Sequence, residues 1–199
     1  LAIIRARFSC SHIAEPAAMA QNATIFKVDL NISDMDRHYY ASHALTLARH
    51  PSETDERMMV RVLAFVLNAS EDLAFGKGLS SEDEPDLWEK DLTGSVQRWI
   101  EVGQPDEKRI RKACGLSREV FIYPYSGNSA DIWWEQNRRA LDKLDKVSVI
   151  NIPAETAEAL GKLARRTMQL QCTVQDGEVW FTDNEAALQI VMQPLKTAR

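Results

Sequence analysis

Apolar and polar positions alternate along residues 24–32, with Phe26, Val28, Leu30 and Ile32 on one side and Lys27, Asp29 and Asn31 on the other. A period of two over that length predicts a half-buried strand. Ser33-Asp34-Met35-Asp36 carries turn chemistry. Tyr39, Ala41, Leu45 and Leu47 then continue the alternation through residues 38–48, so the two runs predict an antiparallel hairpin. From there the period becomes helical. Pro51-Ser52-Glu53-Thr54-Asp55 announces the helix, with Ser52 as the expected N-cap and acidic groups at the positive end of the dipole. Through Leu67, the residues Met59, Val60, Leu63 and Leu67 form an apolar stripe, and Arg57, Arg61 and Asn68 share a polar one. Glu56 falls on the apolar stripe. A carboxylate aimed inward needs a partner.

Residues 70–83 read as a polar loop with Gly76 and Gly78. A second hairpin is predicted to run through Asp86-Leu87-Trp88, turn near Thr93-Gly94 and return as Val96–Val102. Pro105, Asp106 and Glu107 at one end and Gly115 at the other bracket a short helix. The apolar run Glu119–Tyr125 predicts a central strand. An amphipathic helix over 129–144, a strand over Val147–Ile152 and a helix over Glu155–Arg166 follow. The tail alternates through Met168, Leu170, Cys172 and Val174, turns at Asp176-Gly177 and again at Asp183-Asn184, and so predicts a C-terminal β-meander ending in Ala186–Met192. The element order β-β-α-β-β-α-β-α-β-α-β-β-β indicates an α/β protein with one mixed sheet.

Composition narrows the function classes only slightly. The 199 residues, 45% hydrophobic and 27% charged, suit one soluble globular domain, read here as residues 19–199. A net charge of -5 argues against a general affinity for nucleic-acid backbone while leaving room for a local basic groove. Cys10, Cys114 and Cys172 are scattered and form no metal-ligand spacing, which fits a reduced, cytoplasmic compartment. No apolar run is long enough to span a membrane. Residues 1–18 lack an initial Met and any regular period, and Met19-Ala20 reads as a start, so the first eighteen residues are taken as an extension.

The candidate chemistry lies in Glu84-Pro85-Asp86 and Ile100-Glu101-Val102-Gly103. Asp86 would open one strand of the second hairpin and Glu101 would lie in its partner. Paired strands are about 4.8 Å apart, close enough for two carboxylates to reach one ion. Phosphodiester hydrolysis uses Mg²⁺ or Mn²⁺ held by such hard oxygens, with a basic side chain to stabilise charge on the phosphate. The Val102 carbonyl is a candidate third ligand, and Glu56 a fourth ligand or an orienting group.

Longer segments carry a resemblance: HPSETDERMMVR at 50–61, EPDLW at 84–88, WIEVGQPDEKRIRKA at 99–113 and VFIYPYS at 120–126. From Met19 onward the chain resembles the YaeQ family, which in turn is similar to the PD-(D/E)XK nuclease-like superfamily. That resemblance implies a restriction-endonuclease-like core, a central mixed sheet flanked by helices. Asp86 and Glu101 match its two acidic positions, and Glu56 the acidic residue of its first core helix. It further implies a Mg²⁺-dependent nuclease-like protein acting on nucleic acid, or an inactive nucleic-acid- or protein-binding module on the same fold. The motif lysine is missing, because Gly103 stands at its position. Lys108 and Gln104 are the nearest substitutes, although the helical wheel turns Lys108 away from the core.

Plainer roles are equally specific for these residues. Glu101 would pair with Arg98 or Arg111, and Glu56 with a tyrosine or an arginine. Arg109, Arg111 and Lys112 form a basic patch able to grip a phosphate backbone, for which a solvated helix face is the default. Trp133 and Trp134 can stack bases, whereas docking of their helix on the sheet is the plainer use. His50 is the one histidine near the first helix. Neither Ser52 nor Cys114 has the surroundings of a nucleophile.

Overall fold

The structure is a computed structural model that describes residues 23–77 and 83–199; the expected extension at 1–18 lies outside the described residues. Strands β1 (Thr24–Asp34) and β2 (Tyr39–Arg49) form the first hairpin, in unbroken register from Thr24 opposite Arg49 to Asp34 opposite Tyr39. The face carrying Phe26, Val28, Leu30 and Ile32 is buried, as its alternation requires. Helix α1 (Asp55–Leu67) follows. Its cap is Thr54 rather than Ser52: Thr54 Oγ1 accepts the Arg57 N–H at 3.2 Å, while Ser52 Oγ is bonded to His50 Nδ1 at 2.6 Å. The cap oxygen must reach a free N–H of the first turn, and Ser52 stands two residues too early.

Every residue of α1 from Met58 to Val66 is buried, Arg61 included. A helix covered all round must have packing partners on several sides. That demand explains the main departure from the expected architecture: the strands form two sheets instead of one. The six-stranded sheet has the order β11-β7-β6-β5-β4-β3, from β3 (Leu73–Phe75), β4 (Leu87–Lys90), β5 (Val96–Val102), β6 (Ser117–Tyr123), β7 (Val147–Asn151) and β11 (Gln193–Lys196). The five-stranded sheet has the order β10-β9-β8-β1-β2, in which β8 (Thr167–Gln175), β9 (Glu178–Thr182) and β10 (Ala187–Ile190) are the expected meander. Strand β8 lies parallel to β1, so the meander extends the first hairpin and leaves the central strands.

Two apolar clusters set the layering. The larger joins the inner face of the five-stranded sheet, α1, Leu160 of α4 (Ala154–Gly161), and Leu87, Ile100 and Val102 of the six-stranded sheet. The smaller joins the opposite face of that sheet, through Trp99, Val120, Ile122 and Val149, to α2 (Glu107–Leu116) and α3 (Asn128–Leu141). The result is sheet, helix pair, sheet, helix pair. Strand β3 arises inside the expected loop because Leu73 is buried and Phe75 stacks on Phe65 of α1 with ring centroids 5.3 Å apart. Helix α4 ends at Gly161, earlier than expected, and that glycine lets it meet α1: a Cβ there would lie 3.3 Å from the backbone of Glu56. Arg37, in the β1–β2 turn, donates to the Val66 carbonyl at 2.9 Å and ties the hairpin to the C-terminus of α1.

His43 of β2 meets the Tyr39 hydroxyl at 3.0 Å and the edge of Phe65, and burial lowers its pKa. The folded chain therefore binds that proton less readily than the unfolded one. The stability this contributes is complete above the ordinary imidazole pKa of about 6.5 and is lost as pH falls through the lowered value. Replacing His43 by Gln is expected to flatten the fall of Tm on the acid side. Melting curves of the two proteins with equal pH slopes would overturn this.

Candidate functional site

Asp86 and Glu101 are both buried, at 1% and 4% exposure. Asp86 is positioned by backbone on both sides: its N–H donates to the Ile100 carbonyl at 3.1 Å, and its carbonyl accepts from Gly76 N–H at 2.9 Å. Gly76 is needed for space, since a Cβ there would come within 2.1 Å of the Pro85 carbonyl oxygen. Gly76→Ala is expected to push the Pro85–Asp86 segment away and to cost about 1–3 kcal/mol. Urea unfolding measures the loss; an unchanged midpoint would contradict this placement.

The Asp86 carboxylate accepts the Val102 N–H at 2.8 Å and, with both oxygens, Nη2 of Arg57 at 2.8 and 3.0 Å. That same Nη2 donates to the Val102 carbonyl at 3.3 Å. Nη1 of Arg57 meets Glu53 at 2.8 Å, and Arg61 Nη1 bonds both Glu53 oxygens at 3.0 and 2.9 Å. Glu53, Arg57 and Arg61 are spaced four residues apart, so a helical path stacks them on one side. Burial works against the charge on Arg57, but Asp86 and Glu53 outweigh it and raise its pKa. Arg61 Nε lies 3.8 Å from Asp86, buried and without a hydrogen bond.

Glu101 shares its strand face with Trp99, two residues before it. Its Oε1 accepts Trp99 Nε1 and Arg109 Nε, each at 2.7 Å. Burial raises its pKa; the bonds to Arg109 and Trp99 pull the other way, and the charge of Asp86 raises it further. The two carboxylates therefore lie near each other but are held differently, Asp86 by α1 and Glu101 by α2.

Asp86 and the Val102 carbonyl meet on Arg57, Glu101 is close enough for the charge of Asp86 to raise its pKa, and Glu56 stands outside this group. Glu56 is half-buried against α4, in a groove with Thr54, Asp55, Glu158 and Lys162, rather than aimed at the core. The buried acid of this region is Glu53. The partner of Glu101 is Arg109, where Arg98 or Arg111 was expected; Arg98 is instead paired with Glu89 and Glu119. Lys108 is exposed, and Gln104, also exposed, donates to the Tyr125 carbonyl. Arg109 also donates to the Glu84 carbonyl at 2.8 Å, Arg111 pairs with Glu107, and Lys112 pairs with Asp83. Trp133 is buried with Nε1 on the Pro105 carbonyl at 2.8 Å, which is the docking use. His50 is engaged with Ser52.

Gly103 has φ +105, a conformation that disfavours any side chain, and the Tyr125 ring stands 3.8 Å from where its Cβ would be. The backbone itself thus explains why no lysine occupies that position. The signal missed in the sequence was the Glu53-Arg57-Arg61 spacing, an acid-to-base ladder that runs into the core.

Among the described residues no group of three or more His, Cys, Asp and Glu is arranged to hold a metal ion. The donor set still suits a cation: three hard oxygens, two from Asp86 and one from Val102, converge on a single charged nitrogen of Arg57. Glu53, Asp86 and Glu101 are matched by Arg57, Arg61 and Arg109, so the cluster is balanced as it stands.

Among the described residues the protein is mixed α/β, with two mixed sheets, four helices and a buried carboxylate–guanidinium cluster between α1 and the six-stranded sheet. None of the helices is long and apolar enough to cross a membrane, among the described residues. The chain belongs to the YaeQ family: the family profile described as YaeQ protein matches residues 19–192. It is 43% identical over 172 residues to the uncharacterized protein YaeQ of Escherichia coli (strain K12), covering 86% of this chain and 95% of that one. Among solved structures, it resembles the YaeQ protein from Xanthomonas axonopodis pv. citri, with a TM-score of 0.85 and 47% identity over 89% of this chain and 99% of the other. The YaeQ protein from Pseudomonas syringae gives the same TM-score at 39% identity, over 89% and 98% of the two chains.

Proposed function

We propose that the protein is a nuclease-like protein of the PD-(D/E)XK kind, with Mg²⁺ or Mn²⁺ held by Asp86, Glu101 and the Val102 carbonyl and a nucleic-acid phosphodiester as substrate. The observation that carries this reading is the convergence of the Asp86 carboxylate and the Val102 carbonyl on one cationic nitrogen, with Glu101 close enough for its charge state to feel Asp86. A divalent ion bound there would polarise a phosphate and lower the pKa of a bound water. The chain's own part is positional. The Val102 N–H orients Asp86, Trp99 and Arg109 orient Glu101, and burial keeps bulk water from screening their charges. The restriction-endonuclease-like core belongs to the same proposal, since β4, β5 and β6 are neighbours with α1 on one face and α2 on the other.

The test is cleavage of single- and double-stranded DNA and RNA with Mg²⁺ or Mn²⁺, by wild type and by Asp86→Asn and Glu101→Gln. Each variant is expected to lose about 10²-fold or more in rate while remaining folded. Full activity in a variant that carries both substitutions, Asp86→Asn and Glu101→Gln, would rule the assignment out.

One observation favours a second reading, a nucleic-acid- or protein-binding module without turnover. Each of the three carboxylates already has a guanidinium partner, and Gly103 supplies no base. Under that reading an oligonucleotide binds without being cut. Removing Arg111 or Lys112 would then lower the salt dependence of binding by about one unit for each phosphate that is no longer neutralised.

A further inference from the structure

Arg57 spans two different acids. Nη2 lies on Asp86 and the Val102 carbonyl, whereas Nη1 lies on Glu53. Its neighbours in the cluster are more deeply enclosed: the Arg57 side chain is 12% exposed, against 4% for Arg61, 2% for Asp86 and 1% for Glu53. Of the four groups Glu53, Arg57, Arg61 and Asp86, Arg57 is thus the nearest to solvent, and its two nitrogens let it release Asp86 while keeping its hold on Glu53. Glu53 would not be stranded, because Arg61 binds both of its oxygens. Asp86 is different. If Arg57 leaves, Asp86 keeps the Val102 N–H and a distant Arg61 Nε at 3.8 Å, so a buried carboxylate loses its closest counter-charge. An incoming cation would restore it.

We infer that Arg57 is an exchangeable counter-ion: it occupies the Asp86–Val102 seat, and a divalent cation binds there only by turning the Arg57 guanidinium out onto Glu53. This rests on the metal-site reading and adds a control that the reading does not contain. The affinity of the seat for a divalent ion is set by competition with a side chain of the same protein. A ligand shifts such an equilibrium only through its differential affinity for the two states, so the apparent affinity is lowered by the fraction of molecules in which Arg57 holds the seat. The displaced guanidinium, still anchored by Glu53, then stands beside the ion as the basic group that Gly103 cannot provide.

The experiment is calorimetric titration with Mn²⁺ alone, with folding checked by circular dichroism. Four proteins are compared: wild type, Glu53→Gln/Arg57→Gln, that pair combined with Asp86→Asn, and Arg57→Lys. The double variant removes one charge of each sign, so the cluster stays balanced. It is expected to bind Mn²⁺ at least about tenfold more tightly than wild type, because close buried charge pairs couple by more than the factor this requires. Adding Asp86→Asn is expected to abolish the gain. Arg57→Lys keeps a cation but lacks the planar fork that bridges Asp86 through Nη2 and Glu53 through Nη1; should the double variant fail to fold, a gain of about threefold in this protein carries the test. Wild type that binds Mn²⁺ while the variants bind it no more tightly overturns the exchange and leaves the metal site standing. A gain that survives Asp86→Asn also overturns it, because the ion then lies elsewhere. No Mn²⁺ binding in any of the folded proteins removes the metal site and the exchange together.

Discussion

Replacing Asp86 by alanine is expected to lower the free energy of unfolding by about 3–5 kcal/mol, because it strands a buried guanidinium. The Asp86 carboxylate accepts from the Val102 N–H and from Arg57, and its side chain is 2% exposed. Removing it leaves Nη2 of Arg57 with the Val102 carbonyl alone at 3.3 Å. Small domains are stable by only about 5–15 kcal/mol, so the loss would be a large share of the total. Urea denaturation would read it as a lower midpoint at unchanged slope. Asp86→Asn keeps an oxygen for the Val102 N–H and loses only the charge-assisted part, with a smaller expected cost of about 1–3 kcal/mol. The alanine variant is therefore a poor probe of function, since loss of activity would follow from unfolding. Equal, small costs for both variants would mean that the ion pair contributes little to the fold.

Glu53→Ala is the second large effect, again about 3–5 kcal/mol, since it removes the acid shared by two arginines. Glu53 is 4% exposed and accepts from both Arg57 and Arg61. Glu56→Ala, three residues on, is expected to change stability by no more than about 0.5 kcal/mol, as at an ordinary surface position. Glu56 is half-buried in the α1–α4 groove and lies outside the ion-pair cluster. Thermal or urea unfolding of the two variants side by side separates them. The reverse order would place the inward acid where the apolar stripe of α1 suggested it, at Glu56.

That contrast shows where local pattern stops being informative. Glu56 lies on the same helical stripe as Met59, Val60 and Leu63, and a stripe facing a single sheet would carry it inward. Helix α1 is instead enclosed by two sheets and by α4. The side that looks polar in sequence, with Arg57 and Arg61, is covered as well, and its charges must be paired inside the protein. Ladders of charge at four-residue spacing are common on exposed helices, where each pair is worth only a few tenths of a kcal/mol. Nothing in the Glu53-Arg57-Arg61 spacing states that this one is buried. The Arg109–Glu101 pair was hidden for a similar reason, because the helical wheel puts Arg109 on a flank and only the docking of α2 decides what that flank meets.

The local elements were legible in the chain alone: the β1–β2 hairpin, the α1 helix, β4 (which starts at Leu87, one residue after Asp86), β5 with Glu101 and the C-terminal meander all follow from periods of two and 3.6 and from turn residues. The sequence also determined membership of the YaeQ family, through long segments of matched residues. Tertiary structure decided how many sheets those strands make, because β8 pairs with β1 across more than a hundred residues and no local period encodes that partner. It likewise decided which acid reaches the cluster and which cation sits on Asp86. Burial and pairing of charge depend on what packs around a helix on all sides, and a pattern along one chain segment records only its own face.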